Sequence, residues 1–188
     1  MHIAEDPRFK EHLMRPTVLE VVLRGHLWAE SELIGVLEEL LPCPQHIDLS
    51  RLGFPLKVAL VAAHGRLPAD DIPAYLKLNS LRNRIAHNLH SELTEEQVDE
   101  LYHSFGARFN YLHNETNPNA LLNSSDEASW IGRLRAAIAY MCIALSSERE
   151  KILEEQRQQR ETIERYNKLV ERLKADKANW SSNQHGTT

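Results

Sequence analysis

The stretch NSLRNRIAHNLH, Asn79 to His90, holds Arg82, Asn83 and His87. Those three types suit phosphate chemistry. A guanidinium clamps a phosphate through paired donors and stabilises charge as it develops. An imidazole titrates near neutrality and moves a proton. An asparagine beside them would orient the imidazole or donate to a non-bridging oxygen. On RNA the 2′-hydroxyl is an attacking group already in place, so the chemistry needs neither a metal nor a protein nucleophile. Arg84 and His90 add positive charge that would steer a phosphate backbone, with ordinary surface as the competing reading.

Helix geometry, at roughly 100° per residue, sorts this stretch into faces. Leu78, Leu81, Ile85 and Leu89 form an apolar stripe for a core, with Arg82 at its edge. His87 points almost opposite the stripe, one turn from Asn83, toward solvent or a second subunit. An earlier apolar stripe runs through Leu19, Val22, Leu23, Leu33, Ile34 and Leu37, and His26 and Glu30 fall inside it. A carboxylate on a core face costs several kcal/mol unless paired. The first candidate for its cation is Arg82 and the local alternative is Arg24; otherwise Glu30 snorkels at the rim of the bundle.

The elements that would carry these groups are all helical. Residues 1–16 read as an N-terminal arm with a short helix at most. Thr17 to Leu41 is an amphipathic helix stopped by Pro42 and Pro44. A second helix runs from Leu49 to His64 before Gly65, unless Pro55 marks its start. A third begins near Pro68 or Pro73 and continues to about His90. Thr94 and Gln97 make a capping box for a fourth, reaching about Leu112, and Ser124 and Glu127 cap the last and longest. That last helix keeps a heptad trace, Ile138, Cys142, Leu145, Arg149, Ile152, Gln156, Gln159, Ile163, Tyr166, Val170 and Leu173. It reads as a helix that leaves the domain to form a short coiled coil or fold back on a neighbour, with a solvent-exposed charged helix held by i,i+4 pairs as the alternative. The expected organisation is an all-α bundle of four or five helices over 17–148, an extended helix over 149–178 and a disordered tail over 179–188.

The words LNSLRNRIAHN resemble the Arg-x4-6-His motif of the HEPN superfamily, all-helical domains that include metal-independent ribonucleases of toxin and phage-defence systems. Arg82 and His87 match the ends of that motif, and Asn83 the polar residue that commonly follows its arginine. VVLRGHLWAESELIGVLEELL and LGFPLKVALVAAHG resemble the preceding helices of mannitol-repressor-like proteins and their relatives. The resemblance covers roughly residues 17–112 and implies Arg82, His87, Asn83 and Glu30 as catalytic residues. It also implies RNA as substrate and a homodimer, or higher homo-oligomer, whose two motifs line one cleft. An antitoxin or regulatory protein is the further implied partner. Leu89 stands where some of these toxins carry a modifiable tyrosine, so that mode of control is not expected. Mannitol-repressor-like relatives imply a second reading, a non-catalytic regulatory or scaffold protein.

Composition narrows the alternatives. The chain has 188 residues, suiting one buried domain, 42% of them hydrophobic. A formal charge of −5 argues against coating nucleic acid nonspecifically. No histidine or cysteine spacing fits a metal or redox pair, so neither metal nor cofactor is expected, and Cys43 and Cys142 read as free buried thiols. No Gly-rich phosphate loop and no helix-turn-helix signature is present. The N-terminal residues lack the apolar stretch of a signal peptide, no run reaches membrane-span length, and a cytoplasmic location is expected.

Overall fold

The computed structural model describes residues 2–15, 17–87, 93–106 and 130–184, with side chains as far as residue 175. Among them are six α-helices and no strand: α1 Pro7–Leu13, α2 Val18–Leu40, α3 Phe54–Ala63, α4 Ile72–His87, α5 Glu95–His103 and α6 Trp130–Gln184. The chain divides into two units, Met1–Glu150 and Lys151–Thr188, the division falling within α6.

Local chemistry sets most helix ends. Thr17 caps α2 by accepting from the Glu20 amide, and α2 stops ahead of Pro42. Pro55 sits in the first turn of α3, where its missing N–H costs nothing, so this helix starts at Phe54 and Leu49–Arg51 is a separate 3-10 turn. Gly65, at φ +72°, closes α3: the Arg66 amide donates to the Val61 carbonyl and the Gly65 amide to that of Ala62. The Thr94–Gln97 capping box is present in both directions at the start of α5.

Three expectations need correcting. The segment expected as an arm is packed: Phe9 and Leu13, one turn apart on α1, are buried, and the Ile3 amide donates to Ser146 Oγ at 3.2 Å. Helix α5 ends at His103 rather than Leu112, because the Gly106 amide turns to Asp71 Oδ1 at 3.2 Å. Helix α6 continues to Gln184 through part of the expected tail. The Ser124–Glu127 capping box, Leu89 and His90 lie outside the described residues, as do residues 185–188.

The core of the first unit is built from Leu33 and Leu37 of α2, Val58 and Val61 of α3, Leu78 and Leu81 of α4, Leu101 of α5, and Leu134, Ile138 and Met141 of α6. At Gly25 of α2 an added Cβ would lie 2.6 Å from Ile138 Cγ2, so glycine permits the close approach of α6. Tyr75 donates to the Met141 carbonyl at 3.1 Å, which satisfies a buried hydroxyl and ties α4 to α6. Cys142 is buried as expected, whereas Cys43 is exposed beyond the end of α2. No helix among the described residues is long and apolar enough to cross a membrane.

Candidate functional site

Three helices supply the site. Helix α4 buries Leu78, Leu81 and Ile85 on one side, and this fixes what its other side presents. Asn79, Arg82 and Asn83, at i, i+3 and i+4, share the adjoining face. Arg82 and Asn83 are half-buried, while Arg84 and His87 are exposed. The outward direction expected of His87 is therefore found, at the C-terminal end of α4.

Asn83 does not hold the histidine. Its Oδ1 accepts from Arg82 Nη1 at 3.0 Å, so the amide steadies the guanidinium within its own helix turn. Arg82 has no carboxylate partner among the described residues.

Glu30 has found its cation elsewhere. The expected Arg82 pairing is replaced by Lys57 of α3, whose Nζ donates to Glu30 Oε1 at 2.6 Å. Arg24, the local alternative, contacts His12 instead. The geometry of α3 explains the choice. Its buried face is Phe54, Lys57, Val58 and Val61, at i, i+3, i+4 and i+7, so the lysine is enclosed there. The Lys57 side chain has 0% exposure and the Glu30 side chain 26%. A lysine so enclosed needs an acid, and Glu30 is the one within reach. A cation standing in an otherwise apolar helical stripe was the sequence signal that would have found it.

His26 is the other residue that the motif alone does not reveal. It is buried on α2, stacked against Phe54 with ring centroids 4.3 Å apart. Its Nε2 lies 3.1 Å from Asn79 Oδ1. An amide oxygen only accepts, so Nε2 carries the proton and Nδ1 a bare lone pair, which is buried without a partner. Burial holds this imidazole below its ordinary value; the Asn79 bond and the Glu30 charge pull it up, and the Arg82 and Lys57 charges push it down. The ring is thus a neutral spacer between the Glu30–Lys57 pair and the Arg82 face of α4.

Comparison with protein-family models, with curated proteins and with solved structures returns no match.

The structure thus gathers Glu30 and His26 of α2, Lys57 of α3, and Asn79, Arg82 and Asn83 of α4, with His87 at the exposed end. Glu30 balances a buried lysine and is no longer a partner for Arg82. Arg84 is on the surface of the same helix, and His90 lies outside the described residues. No group of three or more histidine, cysteine, aspartate or glutamate side chains among the described residues could hold a metal ion.

Aromatic and imidazole side chains outside this cluster make local contacts. Trp28 donates to His12 Nδ1 at 3.1 Å and meets Phe9 edge-on. His103 is exposed, its Nδ1 2.7 Å from the Asp99 carbonyl, a bond within its own helix. Phe105 packs edge-on against Tyr140 at 5.4 Å.

Proposed function

We propose that the chain is a metal-independent endoribonuclease of a toxin–antitoxin, stress or antiphage system, and that the Arg82–His87 face of α4 acts on an RNA phosphodiester. The observation that carries this reading is the pairing of Glu30 with Lys57, which leaves Arg82 without an acid among the described residues. A half-buried guanidinium already steadied by Asn83 is suited to take phosphate oxygens. His87 stands exposed five residues further along the helix, open to a proton-transfer partner.

In this reading two chains pair so that both motifs line one cleft. One His87 removes the proton of the 2′-hydroxyl as its oxygen bonds to the adjacent phosphorus. The bond from phosphorus to the 5′-oxygen breaks, and a protonated His87 of the second protomer supplies that oxygen with a proton. Arg82 holds the non-bridging oxygens as their charge grows. The products are a cyclic phosphate and a free 5′-hydroxyl. Glu30 acts at a distance by fixing Lys57.

The test is incubation of the full chain with single-stranded RNA in the presence of a chelator. Cleavage leaving cyclic phosphate ends is the expected result, and Arg82→Ala and His87→Ala should each abolish it while circular dichroism stays unchanged. No cleavage of any RNA, together with harmless expression in cells, would refute the enzyme reading.

A second reading has its own support. Ile163, Tyr166, Leu169 and Leu173 of the second unit are all exposed, and Ile163, Tyr166, Val170 and Leu173 follow the heptad spacing. Apolar side chains in that pattern suit a regulatory or scaffold protein that acts through protein–protein contacts.

A further inference from the structure

On the side of α2 turned away from its buried stripe, Arg24, Trp28 and Ser31 stand at i, i+4 and i+7, with Leu27 beside them. Together with His12 of α1 they line an open pocket of about 210 Å³. One pair of its polar groups does not satisfy each other. Trp28 Nε1 lies 3.1 Å from His12 Nδ1, and an indole nitrogen only donates, so Nδ1 must be the unprotonated one. The neutral ring then carries its proton on Nε2. That nitrogen faces Arg24 Nη1 at 3.1 Å, and a guanidinium has no acceptor. Two donors confront each other. Protonating His12 does not help, because it sets a second donor against Trp28.

No nearby acid relieves the conflict. Glu20, one turn before Arg24, accepts from Thr17 Oγ1 at 2.8 Å. Asp6 is held by Arg8: Nη2 donates to Oδ2 at 2.8 Å, and Nε and the backbone amide donate to Oδ1 at 3.1 and 2.9 Å. Glu11 pairs with Arg15. Among the described residues Arg24 has no carboxylate partner.

We infer that this pocket binds a small oxyanion carried on a ring. One oxygen seated beside this contact, off the line joining Arg24 Nη1 and His12 Nε2, accepts from both at ordinary hydrogen-bond distance, which turns the donor conflict into a clamp. The Ser31 hydroxyl is positioned one turn along for a further bond. The apolar body lies along the Trp28 ring and Leu27, a leucine that is 60% exposed. Pockets for drug-sized ligands run from roughly 300 Å³ upward, so this one takes a single ring with its charged head and little more. The site is separate from the Arg82–His87 face and independent of the ribonuclease reading.

The experiment is a titration of the full chain with phenyl phosphate, benzoate and inorganic phosphate, followed by the Trp28 indole N–H resonance, assigned by its loss in Trp28→Phe. Phenyl phosphate or benzoate should shift that resonance saturably while the Trp130 and Trp180 signals stay put, and the tighter of the two identifies the head group. Arg24→Gln should weaken binding about tenfold, the loss expected of a charge-assisted bond. Ser31→Asp, which places a carboxylate at an exposed position in the pocket, should abolish binding with the fold intact, and Arg82→Ala should leave it unchanged. No saturable shift with either ring compound at millimolar concentration overturns the proposal. So does inorganic phosphate binding as tightly as phenyl phosphate, or binding that survives Ser31→Asp.

Discussion

Lys57 Nζ lies 2.6 Å from Glu30 Oε1, and the lysine is wholly enclosed whereas the glutamate keeps a quarter of its side chain in contact with solvent. The two partners therefore do not depend on each other equally. Glu30→Gln strands a buried ammonium and should cost roughly 3 kcal/mol of unfolding free energy. Lys57→Met leaves a carboxylate that can still reach water and should cost less, about 1 kcal/mol. The double variant should be more stable than Glu30→Gln alone. Urea unfolding of the four proteins measures this, and equal losses from both single changes would contradict it.

His26 gives the fold a dependence on pH. Its folded value lies below the ordinary 6.5, chiefly through burial, so the unfolded chain takes up a proton more readily than the folded one. Its contribution is complete above that ordinary value and is lost as pH falls from there through the folded value. His26→Gln should flatten this part of the profile. The readout is the urea midpoint at about pH 7.5 and about pH 5.5, with the decline on acidification smaller in the variant.

Gly25→Ala should destabilise the chain by about 1–3 kcal/mol, as overpacking does, despite the better helix propensity of alanine. The new Cβ would fall 2.6 and 2.8 Å from Ile138 Cγ2 and Cδ1. Removing those atoms with Ile138→Ala makes room, so the double variant should lose less than the two single losses added together. Thermal melts of all four chains decide it.

If the exposed heptad of the second unit joins copies of this chain, Ile163→Glu combined with Leu173→Glu should turn an oligomer into a monomer in sedimentation velocity. Deleting residues 151–188 should have the same effect. A wild-type chain that sediments as a monomer at every concentration would remove the basis for this contact.

Periodicity carried much of the fold. Leu78, Leu81 and Ile85 repeat at helical spacing and are buried, and the caps at Thr17 and Thr94 sit where their side-chain oxygens find backbone amides. The same reasoning set the outward direction of His87. It did not pair Glu30 correctly, because pairing is a matter of tertiary distance: Lys57 reaches it from another helix through a long flexible stem. Nor could it see the end of α5, where Phe105 keeps the helical spacing but the Gly106 amide is drawn off by Asp71, 35 residues away. For α1 the signal was too slight, since Phe9 and Leu13 make only a two-residue stripe and their burial is decided by what packs over them.

The tie between Ile3 and Ser146 has a consequence for the order of events during synthesis. The two residues are 143 positions apart in the chain. At about 5–20 residues per second, a ribosome needs on the order of ten seconds to bring the second into being after the first. Throughout that interval the Ile3 amide lacks this acceptor, although α1 can already meet α2. The residues around Ile3 are thus made well before the helix that supplies this acceptor, and the bond closes only once that part of α6 has emerged.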